Sequence, residues 1–158
     1  MAFYGLDPIR FESVSAVTAT NSVELGTRVL SGELEYTYVY NAGNSQISVK
    51  RACVLSAVTG YSVTVSSATD SANAPLFGVV VNATLTTATY GWVATRGLVE
   101  VMNAMASTAI SGGGAAQLQG DGAFGAATST VLSPYFQLAT TMACGACANC
   151  GAAAIVLK

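Results

Sequence analysis

The chain has 158 residues, 52% of them hydrophobic and only 9% charged, with no histidine and a formal net charge of −2. That length is one domain with a core of its own, whereas an average soluble domain carries about 25% charged residues. The balance excludes nucleic-acid binding, which needs clustered Lys and Arg, excludes disorder, and removes the commonest general base and nitrogen ligand for metals.

In chain order, residues 1–22 differ from the rest. Phe3, Tyr4, Leu6, Ile9 and Phe11 stand among Asp7, Arg10 and Glu12, and a Ser/Val/Ala/Thr tract runs on to Ser22. Pro8 biases Asp7 toward an extended backbone. With no strand partner nearby in sequence, residues 1–22 read either as a frayed terminus or as an extended arm, ahead of a β domain over residues 23–158. Phe3, Tyr4, Leu6, Ile9 and Phe11 are the arm's expected contacts on a neighbouring subunit. Met1 to Pro8 lacks a basic stretch followed by an apolar one, so it does not read as a secretory signal.

Val23–Leu25 and Arg28–Leu30 flank Gly26, a position for a bulge. Ser31-Gly32 is a tight turn, and Leu34, Tyr36, Tyr38 and Tyr40 then alternate with Glu35, Thr37 and Val39, a period of two that predicts a strand and a hairpin. Asn41 to Asn44 reads as a turn, since Asn and Gly tolerate positive φ. Short strands are expected around Arg51–Leu55, Tyr61–Val65 and Leu76–Val81. Tyr90–Thr95 and Leu98–Met102 read as a second hairpin turning at Arg96-Gly97. Val101 to Ile110 supplies one helical turn at most. Gln119 to Gly122 is a turn between Ala115–Leu118 and Phe124, and Tyr135–Ala139 and Ala153–Leu157 are the last strands. Turn signals at intervals of about 8–12 residues, with Val and Thr between them, predict an all-β single domain, a β-sandwich or a β-barrel. Gly122 to Leu157 is uncharged but broken by Gly, Pro, Gln and Asn, so no spanning helix is expected there.

Chemistry-bearing patterns are few. Cys144, Cys147 and Cys150 are spaced by two residues, and Cys53 stands apart. Thiols so spaced can converge on zinc or resemble part of an iron–sulfur pattern. The second pair of a tetrahedral site is missing, however, and Cys packs well among alanines as a small apolar residue. Packing filler is the leading reading of Cys53, Cys144, Cys147 and Cys150; a disulfide within or between subunits and a metal site stay open. Ser111 to Gly114 has no following Lys-Ser/Thr and is not a phosphate loop. Glu33 and Glu35 read as a solvated edge, and Lys50-Arg51 as a surface pair. No nucleophile–base set or acid pair is present, so no enzyme activity and no cofactor are expected. The row Tyr36, Tyr38, Tyr40 reads first as cross-strand packing and second as a platform for sugars.

Ala, Gly, Ser and Thr make up nearly half the chain, and only Glu100, Asp121 and Lys158 are charged beyond position 99. A solitary soluble domain keeps its copies apart with charges of both signs. A neutral surface of small side chains suits permanent contact with other subunits, and a secreted β-domain with a Thr/Ser-rich surface would be charge-poor as well.

Several stretches resemble the small decoration, or cement, proteins of tailed-phage capsids, of the cyanophage and marine-phage type. They are Leu25 to Val29, Glu35 to Asn44, Gly60 to Ser67, Pro75 to Val80, Tyr90 to Val93, Arg96 to Val99, and Gly112 to Gly114 followed by Gly120 to Phe124. The resemblance covers roughly Val23 to Phe124 and the closing strand Ala154 to Leu157; the Cys-rich turn departs from it. It implies a β-sandwich or β-barrel, commonly a homotrimer, assembled in the host cytoplasm and bound outside the capsid shell. There it would bridge subunits of the major capsid protein and stabilise the virion, without enzyme activity. The residues also admit a receptor- or glycan-binding head domain of a phage fibre using the tyrosines, and a small metal or redox protein using the cysteines. The decoration reading expects removal of residues 1–22 to leave a folded domain that no longer binds capsids.

Overall fold

A computed structural model describes residues 13–56, 60–65, 76–101, 116–118, 122–126, 136–138 and 153–157. The described residues form ten strands and no α-helix: β1 Arg28–Ser31, β2 Leu34–Asn41, β3 Ala52–Leu55, β4 Ser62–Val65, β5 Leu76–Val79, β6 Tyr90–Val101, β7 Ala116–Leu118, β8 Phe124–Ala126, β9 Phe136–Leu138 and β10 Ala153–Leu157. Eight of them follow one another as β1-β2-β4-β3-β5-β6-β10-β9, and an added β2–β6 ladder joins two members of that row. Strands β2, β4, β3, β5 and β6 therefore close into a five-stranded barrel. Of the two architectures the sequence allows, the protein adopts the barrel. The β2–β4 pair is parallel and the other ladders of the ring are antiparallel. Strands β7 and β8 form a separate hairpin.

Successive side chains on a strand point to opposite faces, and closure turns one face inward. Val39, Cys53, Val63 and Val93, one each from β2, β3, β4 and β6, meet inside with Ile47, Val80 and Leu85. The opposite pleat makes an outer layer of Tyr36, Tyr38, Ala52, Val54, Val79, Trp92 and Ala94, joined by Phe124 of β8. Both layers are buried. The outer one is buried because other chain segments lie over it. Val14, Val23, Leu25 and Val29 pack against it from the stretch that precedes and includes β1. Each fully buried side chain of this size contributes about 1.5–3 kcal/mol, so a ring with only five strands gains a second hydrophobic layer without a second sheet.

The stretch 13–22 has a partner that proximity in sequence conceals. Thr18 pairs with Tyr90, each backbone N–H donating to the other's carbonyl at 3.0 and 2.8 Å. The Tyr38 hydroxyl lies 3.1 Å from Ser22 Oγ and 3.4 Å from Thr18 Oγ1. Asn82 Nδ2 donates to the Val14 carbonyl at 3.3 Å. Residues 13–22 thus strap the chain's own barrel. Phe3, Tyr4, Leu6, Ile9 and Phe11 lie outside the described residues.

The β1–β2 hairpin forms as expected, Ser31 facing Leu34 across Gly32-Glu33. The expected strand at Val23–Leu25 is instead coil leading into a turn at Gly26, which still bonds β2 through its N–H to the Tyr38 carbonyl at 2.9 Å. The hairpin expected at Arg96-Gly97 is absent. Tyr90–Val101 is a single strand of 12 residues, its first half on β2 and its second on β10. Gly97 marks the change of partner, not a reversal. Its φ is +109°, and a Cβ there would lie 2.6 Å from the Glu33 carbonyl oxygen. A glycine followed by a fresh apolar run looks the same in sequence whether the chain folds back or bends onward.

Candidate functional site

The two ends of the barrel differ. Where β2 ends and β6 begins, the ring is sealed. Ile47 and Leu85 fill it, joined by reciprocal backbone bonds of 2.9 Å. Asn41 locks that seal from a fully buried position. Its Nδ2 lies 3.0 to 3.1 Å from the carbonyls of Ser45, Leu85 and Thr86, and its Oδ1 accepts the Gly43 N–H at 3.0 Å. Asn41 also ends β2 opposite Val63 of the parallel strand.

At the other end of β2 and β6 the ring opens into a cavity of about 330 Å³ lined by Arg28, Glu35, Thr37, Phe77, Thr95 and Arg96. Two irregularities build it. Glu35 pairs with Arg96 and Tyr36 with Ala94, which leaves Thr95 as an extra residue in β6. Cys53 pairs with Gly78 and Val54 with Leu76, which leaves Phe77 as an extra residue in β5. Adjacent residues of a regular strand point to opposite faces, whereas a bulge re-aims one of them. Thr95 and Arg96 can therefore both line the mouth, and Phe77 joins them although Gly78 beside it also faces inward. Gly78 has to be glycine here, because a Cβ would come within 2.6 Å of the Ala94 carbonyl oxygen.

Polar groups at the mouth are already ordered. Thr37 Oγ1 and Thr95 Oγ1 lie 2.9 Å apart, and the Thr95 hydroxyl donates to the Glu35 carbonyl at 3.4 Å. Arg28 Nη1 pairs with Glu35 Oε1 at 3.4 Å, on an arginine that is 65% exposed. An exposed pair of that kind contributes at most about 1 kcal/mol. The Arg96 guanidinium, directly across from Glu35, has no ion-pair partner among the described residues.

The remaining sequence candidates fall as follows. Cys53 lies inside the barrel, fully buried, its thiol donating to the Gly78 carbonyl at 3.4 Å. Burial pushes that thiol up to about 12. A thiol so enclosed packs as a small apolar side chain and is held protonated. Cys144, Cys147 and Cys150 lie outside the described residues, as does the Ser111–Gly114 run. Tyr36 and Tyr38 are enclosed in the outer layer, so neither offers a ring face to a sugar. Their packing is cross-strand: Tyr38 is 5.0 Å from Trp92 and Tyr40 4.8 Å from Tyr90, between ring centroids. The mouth itself was not legible as a site. Arg28, Glu35, Phe77 and Arg96 are far apart in sequence, and a bulge leaves no mark in the alternation beyond one residue too many.

Large apolar side chains also reach the surface. Leu30 is 77% exposed and Leu98 51% exposed. Leu30 faces Glu35, which faces Arg96 two residues before Leu98, so both leucines lie beside the open mouth. No helix among the described residues is long and apolar enough to cross a membrane.

Comparison of the chain with protein-family models, with curated proteins and with solved structures finds no match.

Proposed function

We propose that the protein is a structural virion component, a decoration or cement protein that binds the outside of a tailed-phage head and stabilises it by bridging subunits of the major capsid protein. The observation that carries this reading is the scarcity of charge, 9% of residues, on a chain whose core is already complete. A finished barrel has no internal need for an uncharged surface of small side chains. Such a surface is suited to lasting contact, because permanent interfaces are large and poor in charge. Leu30 and Leu98 supply apolar anchors on that surface, and the resemblance of the strand-and-turn segments points the same way.

Mechanically, a shell under pressure from packaged DNA expands by separating its subunits. A protein fastened across two of them adds contacts that must break first. Many copies act together, so modest affinity at each site suffices. The working form in this reading is a homotrimer assembled in the host cytoplasm, with residues 1–12 reaching across a neighbour through Phe3, Tyr4, Leu6, Ile9 and Phe11. The protein performs no chemistry.

Co-sedimentation with expanded, emptied heads of a phage that encodes the chain tests this reading. The full chain is expected to pellet with the heads, and residues 13–158 to remain in the supernatant. A full chain that never pellets would overturn the assignment; a shortened chain that still pellets would overturn the role of the arm.

A further inference from the structure

We infer that the open barrel mouth is a binding site for a hydroxylated carboxylate, the chemistry of a sugar acid. This inference stands whether or not the protein decorates a shell. Its basis is the convergence of two separate β-bulges on one cavity. Thr95 and Arg96 are brought to it by the irregularity in β6, and Phe77 by the irregularity in β5. A barrel closes without either. Bulges concentrate at barrel rims beside sites because they re-aim side chains, and mouths of barrels are a recurrent place for small-molecule pockets of about 300–1,000 Å³. The cavity, at about 330 Å³, is the size of one pyranose-scale ligand.

The lining states what such a ligand must carry. Arg96 is a planar donor with no ion-pair partner among the described residues, and an arginine fork matches a carboxylate. Glu35 engages Arg28 through Oε1 and keeps acceptor capacity for ligand hydroxyls. Thr95 donates its proton to the Glu35 carbonyl and so keeps its oxygen as an acceptor at the mouth, braced by the buried Thr37 hydroxyl 2.9 Å away. Phe77 provides an apolar wall for a ring face. A simple anion would leave the acceptors unused, and a neutral sugar would leave Arg96 unpaired. Glu33, in the turn between β1 and β2, is exposed and forms no ion pair among the described residues.

The test is titration of the full, isotope-labelled chain with glucuronate, followed by amide and arginine side-chain NMR, with glucose and acetate as parallel probes. Saturable shifts are expected at Thr37, Phe77, Thr95 and Arg96 with glucuronate, and at least tenfold weaker binding to glucose and to acetate. Arg96→Gln, an exposed substitution that keeps the melting temperature, should weaken glucuronate binding at least tenfold. Glu35→Gln should reduce the preference for glucuronate over acetate. Absence of saturable shifts, shifts elsewhere on the barrel, or affinity unchanged in Arg96→Gln would overturn the inference.

Discussion

Asn41 and Cys53 are both enclosed by the barrel, and they hold it in opposite ways. Asn41 offers two donor hydrogens to a group of three carbonyls and takes one backbone N–H in return. Replacing it removes the side-chain bonds that tie the Ser45 and Leu85–Thr86 loops to the end of β2, although the Leu85 carbonyl keeps the Ile47 N–H and the Thr86 carbonyl keeps the Thr89 hydroxyl; each lost hydrogen bond costs about 0.5–1.5 kcal/mol. Asn41→Ala is therefore expected to lower unfolding free energy by about 2–4 kcal/mol in urea denaturation, with Leu85 amide protection lost first. Cys53 contributes by shape and by remaining protonated. Its folded pKa of about 12 lies above the value of 9.0 for a free thiol. The folded state thus holds the proton more tightly, and the associated stability is complete below pH 9 and is lost as pH rises from 9 through about 12. The alkaline decline in melting temperature is expected to be shallower in Cys53→Ala than in the natural chain, from a lower starting point because a cavity remains. In thiol titration, Cys53 should react only once the protein is unfolded.

At the scale of elements, what the sequence discloses depends on how local the cause is. The β1–β2 hairpin is written in neighbouring residues: a two-residue period, a Ser-Gly turn and a second period. Strands β3, β4, β5, β9 and β10 were legible from short apolar runs for the same reason, and β7–β8 from the glycines between them. The strap at residues 13–22 was not, because its partner Tyr90 is some seventy positions away and its own small residues follow no clear period of two. Gly97 was misread because a positive φ bends a strand or reverses it according to what lies beyond, and here the continuation pairs with β10. The strap yields a direct prediction. A chain beginning at Ser13 keeps the strap and its bonds to Tyr90 and Tyr38. One beginning at Val23 exposes Tyr38 and its neighbours, loses the Thr18–Tyr90 bonds and should be destabilised by about 2–4 kcal/mol. Equal stability of the two truncations in thermal unfolding would show that the strap adds nothing.

The whole molecule combines a closed ring, which leaves its five strands no free edge among themselves, with a chain of which only 9% is charged. Closure protects against pairing with stray strands. The exceptions are β1 and β9, which end the eight-stranded row, and Leu30 on β1 is the most exposed of the large apolar residues described. The surface thus offers a restricted place to associate and little repulsion to prevent it. Self-association at high salt should be no stronger than at low salt, since few charges exist to screen.

Absolute quantitation by mass spectrometry of purified particles from a phage that encodes the chain bears most directly on the proposed role. A shell-bridging protein must be present in numbers comparable with the major capsid protein and must leave the particle without releasing the shell subunits when the heads are mildly denatured. A copy number of a few per particle, as at a tail or fibre, or complete absence from particles, would contradict it.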